Sequence, residues 1–212
     1  MTITFLVDVD NTLLDNDRFR TDVQTHFAAV FGVDVAAHYW AIQERRFVDL
    51  GYRDYLGAVQ EWWEGEGREP RLLAAARFLL DYPFEDLLYE GALSVLADLG
   101  ERGQTLVLTD GDAIFQPRKI ERSGIGAAVG GRVLVYVHKE LELEDVERRY
   151  PAERYVLVDD KPRILAAAKA HWGERVTTVL PRQGQFGTVE GATADVAVDR
   201  IAELVGVAFD EV

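Results

Sequence analysis

The chain has 212 residues and a formal charge of −14, because it contains 37 acidic and 23 basic side chains. A hydrophobic fraction of 48% is typical of a globular protein with one or two domains and excludes a disordered or fibrous chain. The acidic balance, without clustered Lys and Arg, argues against nucleic acid or an anionic membrane surface as the main partner. The absence of Cys excludes disulfides and thiol chemistry.

The amino terminus lacks the pattern of a secretory signal, because it has no basic start and reaches a carboxylate at Asp8. Dense apolar stretches such as Val133–Val137 are much shorter than a membrane span. We therefore expect a cytoplasmic protein with no membrane partner. The sequence leaves open whether it is a monomer or a homodimer.

Five short, nearly continuous apolar runs predict strands that are covered on both faces, as in parallel sheets. These runs are Ile3–Val7, Thr105–Thr109, Val133–Val137, Tyr155–Val158 and Val176–Leu180. Segments long enough for crossover helices separate the last four, which predicts an α/β layered fold. A weaker strand at Asp195–Val198 is followed by a predicted final helix with Asp199 as its N-cap.

One part of the chain breaks this alternation. Between about Asn16 and Phe84 no convincing strand is found, and apolar residues recur at helical spacing. An all-helical insertion directly after the first strand of an α/β domain predicts a lid or cap. Its tryptophans and tyrosines are expected to be core residues more often than ligand contacts.

Polar side chains follow four of the predicted strands, and functional groups gather at the carboxyl ends of an open parallel sheet. Up to six carboxylates would then share one edge, which is costly without a cation. All-oxygen ligands favour a hard divalent ion such as Mg²⁺, which keeps coordination sites for a phosphate oxygen. The four groups are Asp8-Val9-Asp10-Asn11-Thr12, Thr109-Asp110-Gly111-Asp112, His138-Lys139 and Asp159-Asp160-Lys161.

Each group taken alone also has an ordinary structural interpretation. The first two could be turns, and the first could also cap a following helix. The pair Asp159-Asp160 could reflect the preference of carboxylates for a helix N-terminus, and Lys139 could be a solvated surface charge. These interpretations do not explain why the groups occur together, at successive strand ends.

In this pattern the sequence resembles the haloacid dehalogenase (HAD) superfamily of phosphohydrolases and phosphotransferases, over essentially the whole chain. The resemblance implies a Rossmann-like three-layer core with a parallel sheet and an α-helical cap inserted after the first strand. It places the core at residues 1–15 and 86–212 and the cap at residues 16–85. The four motifs are matched by Asp8-Val9-Asp10-Asn11-Thr12, Thr109, Lys139 and Val156-Leu157-Val158-Asp159-Asp160.

The resemblance implies a covalent route to hydrolysis, with Asp8 as the nucleophile that forms an aspartyl-phosphate. Asp10 would protonate the leaving alcohol and then activate water. Thr109, the amide of Asp110 and Lys139 would bind the transferring phosphoryl group. Since a dehalogenase has no alcohol to protonate, Asp10 favours a phosphatase.

The resemblance also implies Mg²⁺, bound by the Asp8 carboxylate, the Asp10 backbone carbonyl and the paired acids. We favour Asp160 as the direct ligand and Asp159 as a partner of Lys139, although the pair could be used either way. Lys161 is a rival to Lys139 for the cationic role, since it lies beside the acids and the chain has only four lysines.

The sequence therefore predicts a magnesium-dependent phosphatase that acts on a small phosphorylated metabolite. A phosphotransferase such as a sugar-phosphate mutase would share every motif, and a member that only binds is a third alternative. Distal charge on the substrate could meet arginines of the cap, although solvated helix faces explain these arginines equally well. They are Arg18, Arg45, Arg46 and Arg53.

Overall fold

The computed structural model describes residues 2–187 and 193–209. Six parallel strands form one sheet in the order β3-β2-β1-β4-β5-β6. The strand order reverses between β1 and β4, which opens a crevice at the carboxyl ends of these two strands. The strands are β1 (Ile3–Val7), β2 (Gln104–Asp110), β3 (Val133–Tyr136), β4 (Arg154–Val158), β5 (Val176–Pro181) and β6 (Val196–Val198).

The sheet is buried because alternate side chains of each central strand enter two separate hydrophobic clusters. In β1, Phe5 and Val7 pack into one cluster, while Leu6 packs into the other. Residues that alternate along a strand point to opposite faces, so continuous apolar runs fit a sheet with layers on both sides. The fold is the predicted three-layer, Rossmann-like α/β arrangement.

Helices connect the strands of this core and cover it. Ala92 to Leu99 show the pattern clearly, since the buried residues of their helix recur at positions three or four apart. The core helices are α5 (Ala92–Arg102), α6 (Phe115–Arg122), α7 (Ile125–Ala128), α8 (Leu143–Arg149), α9 (Pro162–Trp172) and α10 (Gly184–Gly187).

The segment between β1 and α5 is built from helices, and residues 16–87 are called the helical segment below. Its α1 buries Phe19, Val23, Phe27 and Phe31 along one face, and the ring of Phe27 stacks on Trp62 at 5.6 Å. The segment contains α1 (Asn16–Phe31), α2 (Val33–Leu50), α3 (Tyr55–Gly65) and α4 (Leu73–Asp81), with short 3₁₀ turns at Pro70–Leu72 and Phe84–Leu87.

The chain enters and leaves the helical segment at neighbouring positions. The amide of Asp15 donates to the carbonyl of Leu87 at 2.9 Å, and the amide of Tyr89 donates to the carbonyl of Leu13 at 3.0 Å. The two connections between the core and the helical segment, called the crossings, are thus joined by backbone hydrogen bonds directly beyond the end of β1.

The five predicted strands are confirmed, with ends that differ by no more than one residue. The weak sixth strand is also present, but the final helix is a single 3₁₀ turn over Ile201–Leu204. The prediction that Asp199 caps it is wrong, because Arg200 holds the cap position and makes no side-chain cap bond. The first free amide of the turn, at Ile201, instead donates to the side chain of Gln183.

In the part of the chain that the structure describes, the helices are too short or too polar to span a bilayer.

Candidate active site

The crevice between β1 and β4 places acidic side chains next to each other. Asp8 directly follows β1, and its amide donates to the carbonyl of Val158 at 2.9 Å. Asp159 and Asp160 directly follow β4, which is the neighbouring parallel strand. Because β1 and β4 pair in register up to Val7 and Val158, the three carboxylates emerge at the same level of the sheet.

Asp8, Asp159 and Asp160 form one compact cluster, with an oxygen of each lying within 4.8 Å of the others. All three side chains are buried, and so is Lys139. The ammonium of Lys139 lies 2.5 Å from Oδ1 of Asp8 and 2.6 Å from Oδ2 of Asp159, and it also donates to the carbonyl of Leu108 at 3.1 Å. Lys139 therefore neutralises part of the charge of this cluster.

Four carboxylate oxygens of the cluster are buried without a hydrogen bond of suitable geometry to the residues that the structure describes. One of them, Oδ2 of Asp159, lies 2.6 Å from the ammonium of Lys139 and forms an ion pair with it. The other three are Oδ2 of Asp8 and both oxygens of Asp160. Leaving buried charged oxygens unpaired is costly, so such atoms call for a cation. Three hard oxygen donors fit an ion of the Mg²⁺ type.

The pKa shifts within the cluster also indicate an excess of negative charge. Burial raises the pKa of Asp8 to about 6, with Lys139 acting in the opposite direction. Burial, together with the charges of Asp159 and Asp8, raises the pKa of Asp160 to about 9. Burial disfavours the charged form of Lys139, but the nearby carboxylates outweigh it and raise its pKa above the ordinary range.

Asp110 fixes the position of Lys139. Its Oδ1 accepts a 2.9 Å hydrogen bond from the amide of Lys139, and its Oδ2 lies 3.3 Å from the ammonium of Lys161. Burial would raise the pKa of Asp110, but Lys139 and Lys161 outweigh it and lower the pKa. Of the two rival lysines, Lys139 makes the contact with Asp8, and Lys161 contacts Asp110.

Asp10 lies outside the carboxylate cluster and has its own cationic partner. The ammonium of Lys119 lies 2.7 Å from Oδ1 of Asp10, and Nε2 of Gln116 lies 3.4 Å from its Oδ2. Lys119 is almost completely buried, and its ammonium lies 5.7 Å from the ring centres of both Phe19 and Phe115. The aromatic faces and the carboxylate together hold this cation in place.

Thr109 ends its strand beside the same glutamine. Its Oγ1 accepts a 3.0 Å hydrogen bond from Nε2 of Gln116, so Gln116 connects Thr109 with Asp10. Further along, Oδ1 of Asp112 accepts from the amides of Ile114 and Phe115 at the start of α6. Asp112 is therefore a structural cap and does not join the carboxylate cluster.

The loop after Asp8 has a defined conformation. Asn11 adopts a φ of 59°, in the left-handed region that Asn tolerates better than most residues. Its Oδ1 accepts from the amides of Asn16 and Asp17 at 3.0 and 3.2 Å, and the amide of Asn16 also donates to the carbonyl of Leu14 at 2.9 Å. These bonds supply partners for the first amides of α1. This loop turns the chain directly from the sheet into the helical segment.

A cavity of about 640 Å³ extends from this edge of the sheet to the helical segment. From the core it is lined by the loop residues Asp10, Asp110 and Asp160 and by residues of α6. From the helical segment it is lined by residues of α1 and α2 and of the connection into α3. The lining includes Arg20, Phe47, Arg53, Tyr55, Phe115, Gln116, Lys119 and Lys161.

Of the residues predicted from the sequence, Asp8, Lys139, Asp159 and Asp160 meet in one cluster. Lys119, Gln116 and Arg20 had not been predicted. Gln116 and Lys119 stand three residues apart on α6 and so share a helix face, but this spacing alone does not indicate a contact with Asp10.

The comparison with protein-family models decides the family. The model for haloacid dehalogenase-like hydrolases matches residues 4–171. The chain belongs to this family. The match includes both strand ends that supply the carboxylate cluster, and it makes the protein a hydrolase.

Solved structures of haloacid dehalogenase-like hydrolases share the fold of the chain, and their sequences resemble it to different degrees. One from Burkholderia xenovorans LB400 is 51% identical, with a TM-score of 0.91 over 96% of this chain and 95% of that one. The HAD-hydrolase YfnB from Bacillus subtilis, solved bound to magnesium, is 16% identical, with a TM-score of 0.64 over 96% of each chain.

A dehalogenase also has a similar fold. L-2-haloacid dehalogenase from Xanthobacter autotrophicus, with chloropropionic acid covalently bound, is 16% identical and has a TM-score of 0.57 over 96% of this chain and 97% of that chain. At this identity the likeness shows the fold alone. No curated protein matches the chain.

Proposed function

We propose that this haloacid dehalogenase-like hydrolase is a magnesium-dependent phosphatase, which hydrolyses a small phosphomonoester through an aspartyl-phosphate on Asp8. The observation that carries the proposal is the set of unpartnered buried oxygens on Asp8 and Asp160. A site for phosphoryl transfer needs a cation to offset the charge of the substrate, and these oxygens are suitable ligands for one.

Mg²⁺ would be held by Oδ2 of Asp8, by Asp160 and by the backbone carbonyl of Asp10. Asp160 suits the direct role, because neither of its oxygens has a hydrogen-bond partner among the described residues. Asp159 instead pairs with Lys139, and its Oδ1 accepts from the amide of Lys161 at 2.8 Å. When bound, the ion would neutralise the phosphoryl oxygens and orient them toward the nucleophile.

In the first step Asp8 attacks phosphorus, the bond from phosphorus to the ester oxygen breaks, and Asp10 gives its proton to the leaving alcohol. In the second step Asp10 takes a proton from water, the water oxygen bonds to phosphorus, and the bond to Asp8 breaks. Lys139 keeps Asp8 ionised for the attack, since its ammonium lies 2.5 Å from Oδ1 of Asp8.

The phosphoryl oxygens would be bound by the hydroxyl of Thr109, the amide of Asp110 and the ammonium of Lys139. Donors that are already in place stabilise the charge of the transition state without reorganisation. The carboxylate of Asp110 does not oppose this role, because it is directed to the amide of Lys139 and the ammonium of Lys161.

The helical segment would act as a cap over this site. We place the cap at residues 16–85 and the core at residues 1–15 and 86–212, a range that extends beyond the described residues at both ends and across 188–192. Support comes from the shared cavity and from the adjacent crossings at Asp15 and Tyr89. A cap that closes over the cavity would exclude water and select the substrate.

The dehalogenases of similar fold make halide release the competing activity. Asp10 favours phosphate release, because it supplies the proton that an alcohol leaving group needs and a halide does not. The two activities are separated by measuring phosphate release from an aryl phosphate and small phosphomonoesters, and halide release from 2-chloropropionate, on the same protein.

We expect phosphate release that requires Mg²⁺, stops with chelator and is lost in Asp8→Asn, without halide release. Release of halide, or phosphate release that Asp8→Asn leaves intact, would contradict the proposal. Transfer of phosphate between substrates with little net release would identify a phosphotransferase instead.

A further inference from the structure

The part of the cavity formed by the helical segment is rich in positive charge. Arg20 of α1 and Arg53, just before α3, both line the cavity. Both guanidinium groups contact the same acceptor, Oε1 of Glu44, at 3.4 Å for Arg20 and 3.0 Å for Arg53. Two cations with one carboxylate between them leave a net positive charge at this position.

The two arginines have more donors than this one acceptor can use. Each guanidinium carries five N–H groups in a fixed planar arrangement. The side chains of Arg20 and Arg53 are only 23% and 18% exposed, while that of Glu44 is 55% exposed. The Nε of Arg20 is buried and has no hydrogen-bond partner within residues 2–187 and 193–209.

The other acidic groups that line the cavity have different partners. Asp10 contacts Lys119, Asp110 contacts Lys161, and Asp112 caps α6. Asp160 belongs to the carboxylate cluster. The excess charge of the arginine pair is therefore available to a ligand.

The remaining surface near the pair is aromatic. Phe47, Tyr55 and Phe115 line the cavity, and the guanidinium carbon of Arg53 lies 4.6 Å from the ring centre of Phe47. Stacking on an aromatic ring fixes the plane of the guanidinium and so prepares it for a planar or tetrahedral anion. The cavity volume is that of a small-molecule site and exceeds the needs of a phosphoryl group alone.

We propose that the substrate carries a second anionic group at the end remote from its reacting phosphate, and that Arg20 and Arg53 bind this group. The inference rests on the proposed phosphatase activity and names its substrate class: a short phosphomonoester that ends in a carboxylate or in a second phosphate. Arg20 and Arg53 are then specificity residues on the helical segment, and the carboxylate cluster performs the chemistry.

The test uses three esters with the same three-carbon chain: propyl phosphate, its analogue ending in a carboxylate, and its analogue ending in a second phosphate. We expect kcat/KM for one charged ester to exceed that for propyl phosphate by about tenfold or more, as a charged bidentate contact provides. The better of the two charged esters identifies the anion. Arg20→Gln and Arg53→Gln should each reduce the ratio of charged to uncharged ester by about tenfold.

Arg45→Gln is the matched control, because Arg45 lies on α2, pairs with Glu61 and is not part of the cavity lining. It should leave the ratio unchanged. Equal kcat/KM for all three esters, or a preference that both arginine variants retain, would overturn the inference.

A binding measurement tests the anionic subsite independently of the proposed phosphatase activity. Calorimetry on the wild-type protein with Mg²⁺ compares propylphosphonate, whose C–P bond a phosphatase does not hydrolyse, with phosphonates that end in a carboxylate or a second phosphonate. Tighter binding of a charged phosphonate that Arg20→Gln removes would support the anionic subsite even if no ester were hydrolysed. Equal binding of all three would overturn it, even if phosphate release were observed.

Discussion

At the scale of single residues, the site collects most of the lysines of an acidic protein and pairs them with carboxylates. Three of the four lysines of the chain lie at this edge of the sheet. Lys139 contacts Asp8, Lys161 contacts Asp110, and Lys119 contacts Asp10. Each lysine is thus paired with a different carboxylate. This keeps apart the three aspartates proposed as the nucleophile (Asp8), as the residue that positions Lys139 (Asp110) and as the proton donor (Asp10).

The role of Lys119 leads to a prediction about turnover. In Lys119→Met the aliphatic chain still packs between Phe19 and Phe115, but Asp10 loses its 2.7 Å partner. We expect kcat for phosphate release to fall by about 10²-fold, because a displaced proton donor loses its alignment with the leaving oxygen.

The control for this variant is Lys169→Met, since Lys169 bonds to Asp195 and the carbonyl of Val176, away from the cavity. It should keep the kcat of the wild type, although its stability will be lower. A Lys119→Met protein that is folded and turns over at the rate of the wild type would show that the contact with Asp10 has no part in the reaction.

The raised pKa of Asp160 leads to a prediction about metal binding. The pKa of Asp160 is about 9 in the folded protein without metal, against an ordinary value of 3.8. Folding in chelator at pH 7 therefore requires proton uptake, which lowers the free energy of unfolding. This loss grows above pH 3.8 and is complete above pH 9. Asp160→Asn removes this cost and should melt at a higher temperature than the wild type in chelator, by about 2–4 °C for each kcal/mol gained.

The same variant should lose its response to Mg²⁺. At an ion concentration 100 times Kd the wild type gains about 2.7 kcal/mol from binding, whereas Asp160→Asn should gain little. Asp112→Asn should respond like the wild type, because Asp112 caps α6 and Asn caps equally well. A Mg²⁺-dependent rise in melting temperature that persists in Asp160→Asn would exclude Asp160 as a ligand.

The residues of the carboxylate cluster could be predicted from the sequence because each stands directly at a strand end. Asp8 follows β1, and Asp159 and Asp160 follow β4, so strand prediction alone brings them together. Lys119 could not be placed in this way. Its contact with Asp10 depends on how α6 packs against Phe19 of the helical segment, which is a tertiary arrangement without a local pattern.

At the scale of elements, α6 joins the sheet edge to the helical segment. Besides Lys119, it carries Arg118 and Arg122, which donate to the backbone carbonyls of Leu80 and of Tyr82, respectively. These carbonyls lie at the end of α4, where a helix leaves its last carbonyls without internal partners. One helix therefore lines the cavity and also contacts the end of α4.

Asp195 holds the last strand of the sheet, β6, against its neighbours. Its carboxylate accepts from the amide and hydroxyl of Thr178, both at 2.8 Å, and from the ammonium of Lys169 at 2.9 Å. Burial would raise its pKa, but the Thr178 and Lys169 contacts outweigh it and lower the pKa below the ordinary value. Asp195 thus connects the start of β6 with β5 and α9.

We expect Asp195→Ala to lower the free energy of unfolding at pH 7 by about 1–3 kcal/mol, as the loss of charged hydrogen bonds does. A lowered carboxyl pKa stabilises the fold above its unfolded value near 4, so the difference should shrink as the pH falls below that value. Denaturant unfolding measured at several pH values checks both expectations.

Asp199→Ala is the matched control, since the Asp199 side chain is 79% exposed and lies 3.8 Å from Arg182. Its effect should stay within about 0.5 kcal/mol. An Asp195→Ala protein as stable as this control, or a difference that grows in acid, would show that Asp195 does not stabilise the sheet edge through its charge.

Elements were predictable to different degrees. The central strands were predicted almost to the residue, because strands buried on both faces are continuously apolar. The end of the chain was less clear, since β6 has only three residues, and the turn after it begins with a backbone amide bonded to Gln183 from elsewhere in the sequence. A cap satisfied by a distant side chain leaves no local sequence signature.

At the scale of the whole molecule, one edge of a parallel sheet collects the reactive groups, and an inserted helical segment completes the cavity. The chain carries a charge of −14, yet the cavity is lined by five arginines and lysines beside four aspartates. This contrast favours an anionic ligand at one position and disfavours nonspecific attraction of anions elsewhere on the surface. The alternation of strands and helices predicted this architecture. Arg53 was a candidate from the sequence, whereas Arg20 and its pairing with Arg53 through Glu44 became visible only with the fold.

The central claim is that hydrolysis proceeds through a covalent intermediate on Asp8, and the stereochemical course at phosphorus tests it most directly. The measurement hydrolyses, in ordinary water, a phosphorothioate ester that is chiral at phosphorus through two heavy oxygen isotopes, so that the released thiophosphate is also chiral. Attack by Asp8 followed by attack of water comprises two in-line displacements, and each inverts the phosphorus centre. We predict overall retention of configuration. Inversion would show a single direct attack by water and would contradict the role of Asp8 as nucleophile.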